Sequence, residues 1–84
     1  MTIRVLLFAY LRERAGEREL SIDVAEGVSV GDVWELLCAS HDRFAEAQPR
    51  FARNQVYVDK AETLHDNDEL AIIPPVSGGA GDFD

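Results

Sequence analysis

The sequence predicts an α+β roll, a mixed sheet of four or five short strands with one main helix across one face. Three observations predict it. Apolar residues alternate in runs near both ends of the chain, a single stretch after Ser29 repeats them at spacings of three and four, and 84 residues make one domain. One amphipathic helix and several half-buried strands bury a core most simply by layering the helix on the sheet.

Thr2 to Phe8 reads as the first strand, with Ile3, Val5 and Leu7 on the core face and Arg4, Leu6 and Phe8 on the other. Ala9 to Ala15 supplies helix formers and stops at Gly16, so a helix of one or two turns follows. Arg18 to Val24 alternates again, placing Leu20, Ile22 and Val24 inward, and Glu26-Gly27 makes a turn. Ser29 is the N-cap of the main helix, with Asp32 in the reciprocal position of a capping box. Val30, Val33, Trp34 and Leu37 form its apolar face, and the helix fades near Ser40.

The segment from His41 to Arg50 reads as a mixed connector in which Pro49 prevents a long continuous helix. Gln55 to Asp59 is a strand with Val56 and Val58 facing one way and Tyr57 the other, and Leu64 anchors a further short strand. His65-Asp66-Asn67-Asp68 is a turn in which Asn67 tolerates a left-handed conformation. Its acids, Asp66 and Asp68 with Glu69, lack the spacing and the glycine of a calcium loop and read as a solvated turn. Glu69 to Pro74 is the last strand, with Leu70 and Ile72 inward and Ala71 and Ile73 outward. Val33, Leu37, Val56 and Ile72 are the expected core where helix crosses sheet.

Composition narrows the function. A formal net charge of −8 opposes nucleic-acid phosphates and favours basic protein surfaces. The single cysteine, Cys38, allows neither an internal disulfide nor a multi-cysteine zinc site, which fits a reducing, cytoplasmic setting. No apolar run reaches the length that spans a bilayer or resembles a signal peptide, so no membrane partner is expected. Cys38 and His41 share a helix spacing, yet nothing marks an oxyanion hole around them, and a half-buried helix cysteine is the better reading. His41 and His65 read as surface or turn residues, so no metal site and no cofactor are expected.

The end of the chain is different. Pro74-Pro75 stops the sheet, because neither proline can donate to a ladder. Residues 76–84 then hold three glycines in nine and no periodicity, as a flexible tail would. A glycine pair on a rigid stub suits passage through a narrow channel and leaves a terminal glycine carboxylate open to attack.

Three stretches carry a resemblance: Val5 to Glu13, Asn54-Gln55-Val56, and Asp68 to Gly79 with its Pro-Pro-Val-Ser-Gly-Gly ending. Through Gly79 the chain resembles the small subunit of molybdopterin synthase, a sulfur carrier with the ubiquitin-like β-grasp fold. The resemblance implies a β-grasp domain over residues 1–76 and a tail over 77–84. It implies that an ATP-dependent adenylyltransferase activates a terminal glycine and that a sulfur donor protein converts the acyl-adenylate to a thiocarboxylate. The large synthase subunit then receives that sulfur for a pterin precursor, in molybdenum cofactor biosynthesis. Carried over by position, Gly79 bears the thiocarboxylate and Gly78 is its spacer, while the carrier has no active site of its own.

Ala80-Gly81-Asp82-Phe83-Asp84 follows Gly79, where the family normally ends. A free carboxylate on Gly79 requires removal of those five residues: either a tail-processing protease removes them, or the chain is a relative or a piece of a larger polypeptide that is processed or used differently. Alternatives within the carrier class are sulfur delivery for thiazole synthesis or tRNA thiolation; outside it stands a non-transferring β-grasp interaction module. Strand parity puts Phe8, Tyr57 and Ile73 on the uncovered face, where large apolar side chains mark contact sites. With Pro75 and Val76 they form the expected partner-binding set.

Overall fold

The computed structural model describes residues 1–41 and 43–75; Asp42 and residues 76–84 lie outside them. Five strands form one sheet: β1 (Thr2–Leu7), β2 (Glu19–Asp23), β3 (Arg50–Arg53), β4 (Val56–Val58) and β5 (Glu69–Ile73). Helix α1 (Ala9–Ala15) joins β1 to β2, and α2 (Val30–Ser40) with a 3₁₀ turn at Phe44–Glu46 joins β2 to β3. The spatial order is β2-β1-β5-β3-β4. β1 and β5 run parallel at the centre, with Leu7 opposite Ile72, and every other neighbouring pair is antiparallel.

Local chemistry accounts for the element ends. The Ser29 hydroxyl accepts from the Asp32 amide at 3.1 Å while the Asp32 carboxylate accepts from the Ser29 amide at 2.9 Å, so the expected capping box is present. Two more first-turn amides of α2, Val30 and Gly31, donate to the carbonyls of Glu62 and Lys60. The loop before β5 thereby satisfies donors that a helix start otherwise leaves to water. α1 ends at Gly16 with φ +79, whose amide returns to the Arg12 carbonyl. Asn67 takes φ +68, as its place in the turn predicts.

The core lies between α2 and one sheet face. Ile3, Val5, Leu7, Phe51, Leu70 and Ile72 meet Val30, Val33, Trp34 and Leu37, with Leu11 and Phe44 closing the ends. Trp34 stacks on Phe44 and meets Phe51 edge-on, each at 5.9 Å between ring centroids. Among the described residues no helix is long and apolar enough to cross a membrane.

Four expectations need correction. Val56 is 65% exposed rather than core. It begins β4, an edge strand paired only with β3 beyond the cover of α2. The connector after His41 holds the 3₁₀ turn, and its last residue, Arg50, opens β3, so Phe44 and Phe51 join the core. Leu64 is fully buried but anchors no strand; the bridge beside it joins Ser29 to Thr63.

The fourth correction is Asp68, which is buried, not solvated. Its carboxylate accepts from Arg53 Nε at 2.7 Å, Asn54 Nδ2 at 3.0 Å and the His65 amide at 2.8 Å. Asn54 and Gln55 form a two-residue hairpin turn with φ +50 and +72, a geometry that asparagine tolerates well. The Asn54 side-chain oxygen also accepts from the Glu69 amide at 3.0 Å, tying that hairpin to the start of β5.

Candidate functional site

The chain leaves the fold from the middle of the sheet. β5 has β1 on one side and β3 on the other, and its last residue, Ile73, is half-buried opposite Arg50. Pro74 is buried and Pro75 exposed, so the stub is fixed one residue before it enters solvent. Val76, Gly78 and Gly79, three of the expected site residues, lie outside the described residues.

Register places a row of apolar side chains across the face that α2 leaves open. Leu6 pairs with Ala71, Ala71 with Ala52 and Ala52 with Tyr57, spanning four strands. The two alanines are buried as a floor between larger neighbours, whereas Tyr57 is 58% exposed. Phe8, 42% exposed, continues β1 past Leu6, so it stands with Ile73 at the end of the sheet where β5 finishes, and Tyr57 lies one row behind them, level with Ala71. An alternating strand puts one parity on each face, which is why these residues separate from Leu7, Ile72 and Val58.

Arg50 is the residue that sequence reasoning missed here. Its guanidinium lies 4.3 Å from the centre of the Tyr57 ring, a cation–π stack that holds both side chains over the ladder. The signal was present, since Arg50 and Ala52 alternate with Phe51 and Arg53, but four residues with charged ends give little periodicity.

The pairings that could suggest catalysis point elsewhere. Burial pushes the Cys38 thiol up, with Glu35 adding to the rise and Lys60 opposing it, which favours the unreactive protonated form. The His41 ring stacks on Phe44 at 4.7 Å, and its Nδ1 lies 3.4 Å from the Leu37 carbonyl. Among the described residues no group of three or more histidine, cysteine or acidic side chains could hold a metal ion. What the arrangement offers chemically is a sheet face with exposed apolar side chains beside the end of its central strand.

Comparisons of sequence and structure with known proteins give the family and the fold. The model of the ThiS family matches residues 5–79. A molybdopterin synthase sulfur carrier subunit from Chlamydomonas reinhardtii is 43% identical over 84 residues, covering 94% of this chain and 100% of that protein. Its human counterpart is 34% identical over 82 residues, covering 92% and 93%. The crystal structure of SAMP1 from Haloferax volcanii superposes with a TM-score of 0.79 at 32% identity, covering 94% of this chain and 100% of that one. By fold and by sequence, the chain belongs to the ThiS family, alongside the β-grasp sulfur carrier subunits of molybdopterin synthase.

Proposed function

We propose that this protein is the sulfur carrier subunit of a molybdopterin synthase, with residues 1–76 as its body and 77–84 as its tail. The observation that carries the reading is the Pro-Pro-Val-Ser-Gly-Gly sequence set directly after the central strand. Removal of residues 80–84 exposes the Gly79 carboxylate. In an adenylyltransferase that carboxylate attacks the α-phosphorus of ATP, and pyrophosphate leaves. Hydrosulfide released by a donor protein then displaces AMP and loses its proton, giving a thiocarboxylate that is a stronger nucleophile than the carboxylate. Gly78 keeps the chain end free of a Cβ where it threads the large subunit toward the pterin precursor.

Phe8, Tyr57, Ile73, Pro75 and Val76 serve as the docking face for both the activating enzyme and the large subunit. The placement of Phe8 and Ile73 at the end of β5, with Tyr57 and Pro75 beside them, supports this role. Sulfur delivery to thiazole or tRNA uses the same tail chemistry; the doubled proline before Val-Ser-Gly-Gly favours molybdopterin.

The test is intact mass after incubation with the activating enzyme, ATP and a sulfur donor. A form ending at Gly79 gains about 16 Da, one oxygen replaced by sulfur at the activated acyl group. The 84-residue chain gains nothing, because an internal amide has no carboxylate to adenylate. Thiolation of the full chain with all five last residues retained refutes the assignment of Gly79.

A further inference from the structure

A groove of about 560 Å³ opens at the β3–β4 side of the tail exit, and Arg50, Tyr57, Val58, Asp59, Lys60 and Glu62 line it. Its charged groups are unequally committed. Asp59 accepts from the Ala61 amide at 2.8 Å, and Glu62 accepts from Arg53 Nη1 at 3.2 Å. Arg50 lies over the Tyr57 ring, and neither it nor Lys60 enters an ion pair among the described residues. An acidic protein thus presents, in this groove, an aromatic ring and two cations that no carboxylate pairs among the described residues.

The chain carries the complementary sequence. Asp82-Phe83-Asp84 is an aromatic residue flanked by two carboxylates. Six residues separate Pro75 from Asp82, seven Cα steps with a reach of up to about 23 Å when extended. The groove lies two strands from β5, about 10 Å at the usual strand spacing. A short tether also holds the segment at a millimolar effective concentration, so individually weak contacts suffice.

We propose that Asp82-Phe83-Asp84 docks in this groove, its carboxylates facing Arg50 and Lys60 and Phe83 lying against Tyr57. The uncleaved chain then covers part of its own docking face, and removal of residues 80–84 frees Gly79 and Tyr57 in one step. The regulatory meaning rests on the function proposed above; the contact itself does not.

The test compares amide NMR spectra of the 84-residue chain with those of its Asp82→Asn/Asp84→Asn variant and of the form ending at Gly79, which retains all the described residues. The amides of Arg50, Tyr57, Val58 and Lys60 shift in both comparisons. Salt moves the parent spectrum toward the variant's, since the screening length falls to about 3 Å at 1 M. Arg50→Glu reproduces the shifts, whereas Arg14→Glu, on α1, does not. Spectra that coincide throughout residues 1–75, or that differ only away from the groove, overturn the proposal. Groove shifts without thiolation of the shortened form would sink the proposed function and leave this contact standing; thiolation without groove shifts does the reverse.

Discussion

Arg53 Nε and the Asp68 carboxylate meet at 2.7 Å, joining the end of β3 to the turn that launches β5. The carboxylate is buried while the Arg53 side chain keeps about a quarter of its surface in solvent, and Glu62 takes a second guanidinium nitrogen at 3.2 Å. Burial alone raises the Asp68 pKa. The hydrogen bonds from Arg53, Asn54 and the His65 amide outweigh it and leave the carboxyl below its ordinary value.

A carboxyl whose folded pKa is depressed stabilises the fold above its unfolded value, near pH 4, and loses that contribution as pH falls through the folded value. The thermal midpoint therefore drops below about pH 4 more steeply in the parent than in Asp68→Asn. At pH 7 Asp68→Ala costs about 2–3 kcal/mol in urea unfolding, because three donors lose a charged acceptor. Equal acid sensitivity of parent and Asp68→Asn would show that other carboxylates govern the transition.

Leu37→Ala empties a fully enclosed site beneath α2 and costs about 2–5 kcal/mol. Val56→Ala removes a side chain that is mostly in water and stays within about 0.5 kcal/mol of the parent. Urea midpoints at constant slope check both. A Val56 cost comparable to that of Leu37 would mean that β4 is covered after all.

Ser29→Ala removes one arm of the capping box and costs about 1 kcal/mol. Because Glu62 and Lys60 carbonyls still hold the next two amides, α2 should keep its start, and circular dichroism should show its helix content retained. Loss of helix signal with the fold otherwise intact would show that the loop contacts alone cannot define that end.

Phe8→Ala and Ile73→Ala weaken binding to the activating enzyme and the large subunit while shifting the thermal midpoint little. Leu7→Ala and Ile72→Ala, one residue away and inside the core, unfold the domain instead. Binding per folded molecule separates the two outcomes. If Phe8→Ala destabilises as much as Leu7→Ala and leaves binding intact, Phe8 belongs to the core.

Elements whose signal is local were legible in the sequence. Gly16 stops α1, Ser29 and Asp32 start α2, and Asn67 turns the chain where their side chains or backbone freedom demand it. What escaped depends on neighbours distant in sequence. Arg50 to Arg53 becomes a strand because β5 and β4 lie on either side of it, not because its residues alternate strongly. Asp68 is polar and sits in a turn, so only the arrival of Arg53 and Asn54 explains its burial. Val56 has the composition of a core residue and is exposed because its strand is at the edge. For the candidate site, parity alone separated Phe8 and Tyr57 from the core, whereas the alanine floor and Arg50 needed the register of β3.

The parallel pairing of β1 with β5 also sets how the molecule bears load. A pull on Pro75 is directed along β5, between ladders to β1 and β3 on its two sides. Such a force shears both ladders at once, where a tail mounted on β4 would peel its strand away one bond at a time. If the proposed function holds, threading and withdrawing the tail would load the sheet in this shear direction and leave the body that carries it intact.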